Sequence, residues 1–323
     1  MRILVTGGAG YIGSFATKAL LDKGYSVVVL DSLERGYKDA IDKRAEIVEL
    51  DILDAQRLSN VFDKYSFEGV MHFAGYISME ESMQDPGLYF HKNTTGGQML
   101  IEQAIKHNVK YFIFSSTAGV YGNPVKVPIP EDHPKNPTNP YGESKLMVER
   151  VLSWYQKIHG ISFAALRYFN AAGASLDGTL GEDHQPETHI IPLAIKAALT
   201  GEEFILYGSD YNTKDGSCVR DYIHVIDLVE AHLLALQKLQ REKGDYFYNV
   251  GTGKGYSNKE VIATVQKISG INFAIKEASR RAGDAETLIA DPTHIQKDLG
   301  FSPKYSDLET IVKSAWKWHR RKQ

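Results

Sequence analysis

The chain has 323 residues, 43% hydrophobic and 24% charged, the balance of an ordinary globular protein with room for one large α/β domain or two lobes. Its 37 Lys and Arg against 40 Asp and Glu leave a net charge of −3, so no basic excess argues for nucleic acid or an acidic membrane surface. The single cysteine, Cys218, excludes an internal disulfide and a cysteine-rich zinc site, and no apolar run reaches the roughly 18–20 residues of a membrane span.

The sequence opens on an apolar run at residues 3–6 with no signal-peptide pattern, and a cytoplasmic location is expected. Further short β-branched runs lie at 26–30, 47–50, 69–73, 111–115 and 162–166. They lack in/out alternation, as parallel strands buried on both faces do. Helical patterns at 12–23, 55–65, 97–107 and 141–160 separate them. This rhythm predicts an α/β fold, a Rossmann-type doubly wound parallel sheet with right-handed crossovers.

Beyond residue 169 the texture changes. Residues 171–187 are rich in Gly, Asp, Glu and Pro and read as a loop, followed by a helix at 190–200, a strand at 204–207 and a turn at 212–216. Runs at 219–225 and 247–250 are predicted to return to the main sheet, with a helix at 227–240 between them. A helix at 258–269, a strand at 273–276 and a helix at 308–321 complete the pattern. The expected division is a dinucleotide-binding Rossmann domain at 1–169, rejoined by 219–250, and a smaller, interwoven C-terminal substrate-binding lobe at 170–218 and 251–323. A ligand is expected in the cleft between them, beyond the carboxyl ends of the strands.

Six short stretches carry chemistry. Gly7-Gly8-Ala9-Gly10-Tyr11-Ile12-Gly13 stands between the first strand and the first helix. There it lets the backbone approach a pyrophosphate at a helix N-terminus, or serves tight helix–strand packing. Asp31 ends the second strand, where a carboxylate accepts from a ribose diol and repels a 2′-phosphate, favouring NAD over NADP; Arg35 nearby is a solvated charge or weakens that preference. Asp51-Ile52 frames an adenine, or Asp51 caps the next helix. Phe73-Ala74-Gly75 ends the fourth strand with small residues beside the cofactor path, and Ser115-Ser116-Thr117 ends the fifth with hydroxyls that meet a substrate or only bond local turns. Tyr141 and Lys145 are spaced i, i+4 on a helix face, where a cation beside a phenol is expected to lower its pKa towards that of a base. Cys218 reads as a small buried apolar residue, and no metal is expected.

With these pieces in place, the chain resembles the extended short-chain dehydrogenase/reductase family on its UDP-sugar 4-epimerase branch, from Met1 to about residue 320. The resemblance is carried by Thr6 to Gly13, Tyr168-Phe169-Asn170, Val219-Arg220-Asp221-Tyr222-Ile223-His224-Val225 and Arg280-Arg281-Ala282-Gly283-Asp284. It implies reversible C4 epimerisation of UDP-glucose and UDP-galactose through a transient 4-keto sugar, with tightly bound NAD as cofactor. Tyr141 is then the base, Lys145 positions the nicotinamide ribose and tunes Tyr141, and Thr117 bonds the sugar 4-hydroxyl. The cofactor set becomes Gly7, Gly10, Tyr11, Ile12, Gly13, Asp31, Asp51, Ile52, Phe73, Ala74, Gly75, Asn93, Ser115, Tyr141, Lys145 and Tyr168. For the nucleotide-sugar the resemblance implies Asn170, His189, Tyr207 near the uracil, the diphosphate arginines Arg220 and Arg281, and Asp284 at the uridine ribose. Tyr222 reads as core. A homodimer pairing the helices at 97–107 and 141–160 is the implied partner state, although amphipathicity there equally serves the monomer core.

Three positions depart from the family pattern. Ile77 stands where some members carry a lysine near the cofactor phosphates, and His189 replaces an asparagine of some relatives. Leu288 stands where a bulky aromatic closes the sugar pocket, which leaves room for an N-acetyl group at C2 or simply fills the wall. Thr117 is followed by Ala118-Gly119 rather than the Asp-Glu of the 4,6-dehydratases, so that chemistry is not expected. The alternatives are C4 epimerisation of another UDP-sugar (an N-acetylhexosamine, pentose or uronate) and a catalytically silent NAD-binding regulator.

Overall fold

The computed structural model describes residues 1–281 and 284–321. Its strands are β1 (Arg2–Thr6), β2 (Ser26–Asp31), β3 (Glu46–Glu49), β4 (Gly69–His72), β5 (Tyr111–Thr117), β6 (Ser162–Tyr168), β7 (Asn170–Ala172), β8 (Phe204–Tyr207), β9 (Val219–His224), β10 (Asp245–Val250), β11 (Gly255–Ser257), β12 (Ile275–Ala278) and β13 (Thr287–Leu288). Its helices are α1 (Tyr11–Asp22), α2 (Ala55–Lys64), α3 (Met79–Gln84), α4 (Pro86–Tyr89), α5 (Gly96–Lys106), α6 (Pro140–His159), α7 (Ile190–Thr200), α8 (Val225–Arg241), α9 (Asn258–Ser269), α10 (Thr293–Leu299) and α11 (Leu308–Arg321). Two compact units share the chain. The first takes Met1–Gly122, Lys135–Arg167 and Val229–Tyr248; the second takes Asn123–Pro134, Tyr168–Leu228 and the residues from Asn249 onward.

The first unit is built on a seven-stranded sheet in the order β10-β6-β5-β4-β1-β2-β3. The pairs β3–β2, β2–β1, β1–β4 and β4–β5 are all parallel. Strand order reverses between β1 and β4, so the loops after these two strands mark the point where a doubly wound sheet receives its ligand. Val27, Val28, Val29 and Leu30 are all buried, as are all four residues of β4, because helices cover both faces. Leu58 and Phe62 of α2 and Leu100 and Ile101 of α5 pack on Leu4, Val70 and Phe112, and each such side chain contributes about 1.5–3 kcal/mol. The longest helix, α6, has clear local causes. Asn139 accepts the Gly142 N–H at 2.9 Å, Pro140 fills the first turn, and Gly160 closes the end at φ 72°. Between β4 and α5, where the sequence carried no clear period, Ser78 and Asp85 cap the short α3 and α4, and Phe90–Thr95 forms a π-helical turn.

The second unit has a core of Ile191 and Ile195 from α7, Val261 and Val265 from α9, and Ile311 and Val312 from α11, packed around Tyr222. Cys218 is buried, in keeping with its apolar reading. The expected return of 219–225 to the main sheet is overturned: β9 lies in a separate sheet, paired with β11, β13 and β7. Its polar residues explain the choice. Asp221 is fully buried and accepts from the backbone of Thr252, Gly253 and Ala290 and from the Thr252 hydroxyl, while His224 meets the hydroxyls of Ser306 and Ser314. A strand with those needs belongs where loops supply the donors. The run at 247–250 does join the main sheet, as part of β10. The strand expected at 273–276 sits two residues later as β12, which pairs in parallel with β8.

Candidate active site

The nucleotide end of the first unit begins at the glycine turn. Gly7 has φ 72°, and a Cβ there would lie 2.5 Å from the Ala74 nitrogen; a Cβ on Gly13 would lie 2.1 Å from the Gly7 oxygen. These two glycines therefore answer the packing requirement. Gly10 is different: it caps α1 without any side-chain acceptor, the first turn carries no acid, and a Cβ there would meet only the Gly7 oxygen at 3.3 Å. Its uncapped amides suit a pyrophosphate. Asp31 binds the Ala9 and Leu33 N–H groups, each at 2.9 Å and through different oxygens, which fixes the carboxylate at the mouth of β2 and leaves further lone pairs for a diol. Burial raises its pKa against those two bonds.

The alternatives at two neighbouring positions resolve. Arg35 is exposed but not idle: it makes a bidentate pair with Glu81 at 2.9 and 2.6 Å and stacks on the Tyr76 ring at 3.8 Å. Asp51 does not cap α2, because Asp54 does, accepting the Arg57 N–H at 3.0 Å. Instead Asp51 accepts the Leu53 N–H and pairs with Lys92 at 2.8 Å. Ile52 packs against Gly96, where a Cβ would come within 2.7 Å of it. Tyr11 is buried edge-on against Phe15. Beyond Phe73 and Ala74, which line the Gly7 turn, Gly75 must be small, since a Cβ would stand 3.0 Å from Asn93 Oδ1 and 3.2 Å from Lys145 Nζ.

Thr117, at the end of β5, and Tyr141, in the first turn of α6, are both buried, and the Thr117 side chain acts on the phenol. Thr117 Oγ1 accepts the Gly119 N–H at 3.0 Å. Lys145 is buried one turn along α6, and its Nζ donates to the Ser115 carbonyl at 3.1 Å. Burial raises the Tyr141 pKa, and the Thr117 side chain lowers it in part. Lys145 lies 5.1 Å over the Phe114 ring, and burial brings its own pKa down to about 8.

Of the residues that frame this pair, Asn93 is the one the family resemblance named; the others carry no signal readable in sequence. Asn93, in the π-helical turn, accepts the Tyr76 N–H at 2.8 Å and donates to the Tyr76 carbonyl and to Ser144 Oγ, each at 3.0 Å. Ser144 in turn donates to the Tyr141 carbonyl at 2.7 Å. The rings of Tyr76, Tyr89 and Tyr141 follow one another edge to face, with centroids 5.9 and 6.4 Å apart. Below Thr117, Ser116 donates to Glu149 at 2.6 Å, and Glu149 holds Arg167 through bonds of 2.9 and 2.7 Å, all fully or nearly fully buried.

In the second unit the expected sugar-nucleotide residues fall into two groups. Arg220 on β9 donates to the carbonyls of Val219 and Glu286 and faces the Asp284 carboxylate at 3.7 Å; Leu288, half-buried on β13, is its register partner. Asp284 N–H donates to the Arg281 carbonyl at 3.4 Å, and the Arg281 guanidinium lies 4.2 Å over the Tyr207 ring. Asn170 on β7 donates to the Asp221 carbonyl at 3.0 Å. Ala282 and Gly283 of the expected motif lie outside the described residues. His189 stands apart, its Nδ1 at 2.8 Å from Glu182 and 3.1 Å from Glu187. Burial opposes its charge, but the two carboxylates prevail and hold its pKa well above the usual value. Tyr168 ends β6.

Known proteins resemble the chain over nearly its whole length. It is 45% identical to the UDP-glucose 4-epimerase of Lactobacillus helveticus, over 99% of this chain and 97% of that one. The structure of UDP-glucose 4-epimerase from Brucella ovis in complex with NAD superposes with a TM-score of 0.93 at 43% identity, covering 97% of this chain and 96% of that one. The UDP-Glc/GlcNAc 4-epimerase of Campylobacter jejuni gives a TM-score of 0.87 at 42% identity over 99% of each chain. Residues 3–251 match the NAD dependent epimerase/dehydratase family, and with the glycine turn, Asp31 and the buried Thr117, Tyr141 and Lys145 set described, the chain belongs to that family.

Proposed function

We propose that the protein interconverts UDP-glucose and UDP-galactose by inverting C4 through a transient 4-keto sugar, with NAD retained between turnovers. The observation that carries this reading is the buried set of Thr117, Tyr141 and Lys145, with Tyr141 and Lys145 one helical turn apart on α6. The chemistry a bound NAD supplies is acceptance and return of a hydride at C4. Tyr141 takes the 4-hydroxyl proton and gives it back, and Thr117 beside it relays or orients the proton. Lys145 holds the nicotinamide ribose against β5. Gly10 and the amides of α1 take the pyrophosphate and Asp31 the adenosine ribose, so the first unit is the cofactor half.

The second unit is the sugar-nucleotide half in this reading. Arg220 and Arg281 bind the diphosphate, Tyr207 the uracil, and Asp284 the uridine ribose, while Asn170 contacts the nucleotide-sugar. Guanidinium groups suit a diphosphate because their paired N–H groups match its oxygens. Anchoring UDP while the hexose stays loosely held lets the 4-keto sugar present either face. Conversion of UDP-galactose to UDP-glucose by the purified protein, with no nucleotide added, is the test; no UDP-glucose formed contradicts the proposal.

Leu288 favours a second substrate class. A half-buried leucine beside Arg220, rather than a large aromatic, leaves width for a C2 N-acetyl group, so UDP-N-acetylglucosamine and its C4 epimer are accepted too. Leu288→Tyr then lowers turnover of UDP-N-acetylgalactosamine relative to UDP-galactose by about 10-fold or more, the scale of steric discrimination in a pocket. An unchanged ratio removes Leu288 from specificity. We also infer a homodimer along α6. Met147, Trp154 and Ile158 are exposed there at coiled-coil-like spacing, with Trp154 63% exposed. No described helix is long and apolar enough to cross a membrane, and a cytoplasmic setting fits.

A further inference from the structure

The stretch Glu182-Asp-His184-Gln-Pro-Glu187-Thr-His189 lies in the loop between β7 and α7. Glu182, His184, Glu187 and His189 each offer one ligand-type atom, and the four atoms lie within 4.8 Å of one another. Glu182 Oε1 is central, 3.0 Å from His184 Nδ1 and 2.8 Å from His189 Nδ1. Its side chain is 5% exposed, and burying a carboxylate is costly unless its charge is met.

The surrounding chain braces these positions. Ala174 bridges Gly181, and Ser175 Oγ accepts the N–H groups of Thr179 and Leu180, each at 2.9 Å. The Trp318 indole of α11 donates to the Glu182 carbonyl at 2.9 Å, and a Cβ on Gly181 would stand 2.5 Å from that ring. Glu187 Oε1 accepts the N–H groups of Thr188 and His189 at 2.7 and 2.8 Å. The ligand atoms are thus carried on a braced frame rather than on a free loop.

We propose that Glu182, His184, Glu187 and His189 form a structural zinc site that clips this loop to the start of α7. Two carboxylates and two neutral imidazoles balance a dication. Four-coordinate zinc with bonds of about 2.0–2.2 Å spaces its ligand atoms about 3.3–3.6 Å apart, so the contacts of 2.8–3.1 Å need only a small opening. Mixed imidazole and carboxylate ligands suit zinc, whereas calcium and magnesium take six or more oxygens. His189, which the family resemblance assigned to the sugar nucleotide, becomes a metal ligand instead. The site goes beyond the proposed epimerase activity and stands or falls separately from it.

The test uses the full chain, stripped with a chelator, reloaded with zinc or cobalt and passed through gel filtration before the metal is counted. About one zinc per chain is expected. The cobalt form should show the intense visible bands of a four-coordinate ion, and His184→Ala and Glu182→Gln should each retain at least about tenfold less zinc. Wild-type protein that keeps less than about a tenth of an equivalent after reloading overturns the site, as does full zinc retention by both variants. Should the variants fold poorly, the cobalt spectrum of the wild type decides alone, and its absence overturns the proposal.

Discussion

The two units place their chemistry in opposite ways. In the first, the functional groups stand at the ends of strands in one parallel sheet: the Gly7 turn after β1, Asp31 at the end of β2, Gly75 after β4, and Ser115 and Thr117 on β5. Strands of four to seven residues and the helices that follow them fix these groups, and a buried polar frame of Ser116, Glu149 and Arg167 lies behind. In the second, the groups sit on strands of two to six residues and on loops: Asn170 on β7, Arg220 on β9, Leu288 on β13, with Asp284 and Arg281 between β12 and β13. Here most of them are held by backbone carbonyls and by each other. Proton and hydride chemistry needs atoms fixed to fractions of an ångström, whereas gripping UDP through arginines tolerates more play.

If that contrast is right, the first unit should fail steeply and the second gradually. The largest effect is expected at the frame. Glu149→Ala removes the carboxylate that meets the buried Arg167 guanidinium and should cost about 3–5 kcal/mol in urea unfolding; a loss under about 1 kcal/mol would show that the pair is dispensable. Next, Tyr141→Phe should lower turnover at least about 10²-fold with little change in stability, and near-normal turnover would remove Tyr141 from the mechanism.

A pH experiment probes the same unit more gently. Burial, and then the Lys145 charge, bring the His72 pKa from 6.5 down to about 3. The folded state therefore refuses a proton that the unfolded chain takes up. This contribution to stability is full above pH 6.5 and is lost as pH falls towards 3. Between pH 6.5 and 5 the loss should be about 2 kcal/mol, and His72→Gln, which keeps an acceptor for Thr6, should not show it. Parallel pH profiles for the two proteins would contradict the assignment. The smallest effect is expected in the second unit: Arg220→Ala should raise KM for the UDP-sugar about tenfold, some 1.4 kcal/mol, and leave kcat within about threefold. A kcat loss as large as that of Tyr141→Phe would erase the contrast.

The same contrast governs what could be read from the sequence. Where the reason for a residue is local, reading works: Gly7 and Gly13 are glycines because of clashes within the turn and with the neighbouring β4 loop, and Asn139, Pro140 and Gly160 bound α6. Where the reason is a distant partner, it does not. Arg35 meets Glu81 across 46 residues, and Asp51 yields the cap of α2 to Asp54 because Lys92 claims it. The i, i+4 spacing of Tyr141 and Lys145 gives a shared helix face but not the direction of the lysine, which turns to Ser115. The run at 219–225 reads as a strand, yet only the partners of Asp221 and His224 reveal which sheet it joins. The cluster from Glu182 to His189 was contiguous and still read as a plain loop, since nothing in its spacing shows that Glu182 is buried.

The central claim is that one hydride leaves C4 and returns to the same carbon inside the protein. It is tested by UDP-galactose carrying deuterium at C4, turned over in ordinary water with no added nucleotide. The account predicts UDP-glucose with the deuterium still at C4. Product with hydrogen from solvent at C4 would contradict it.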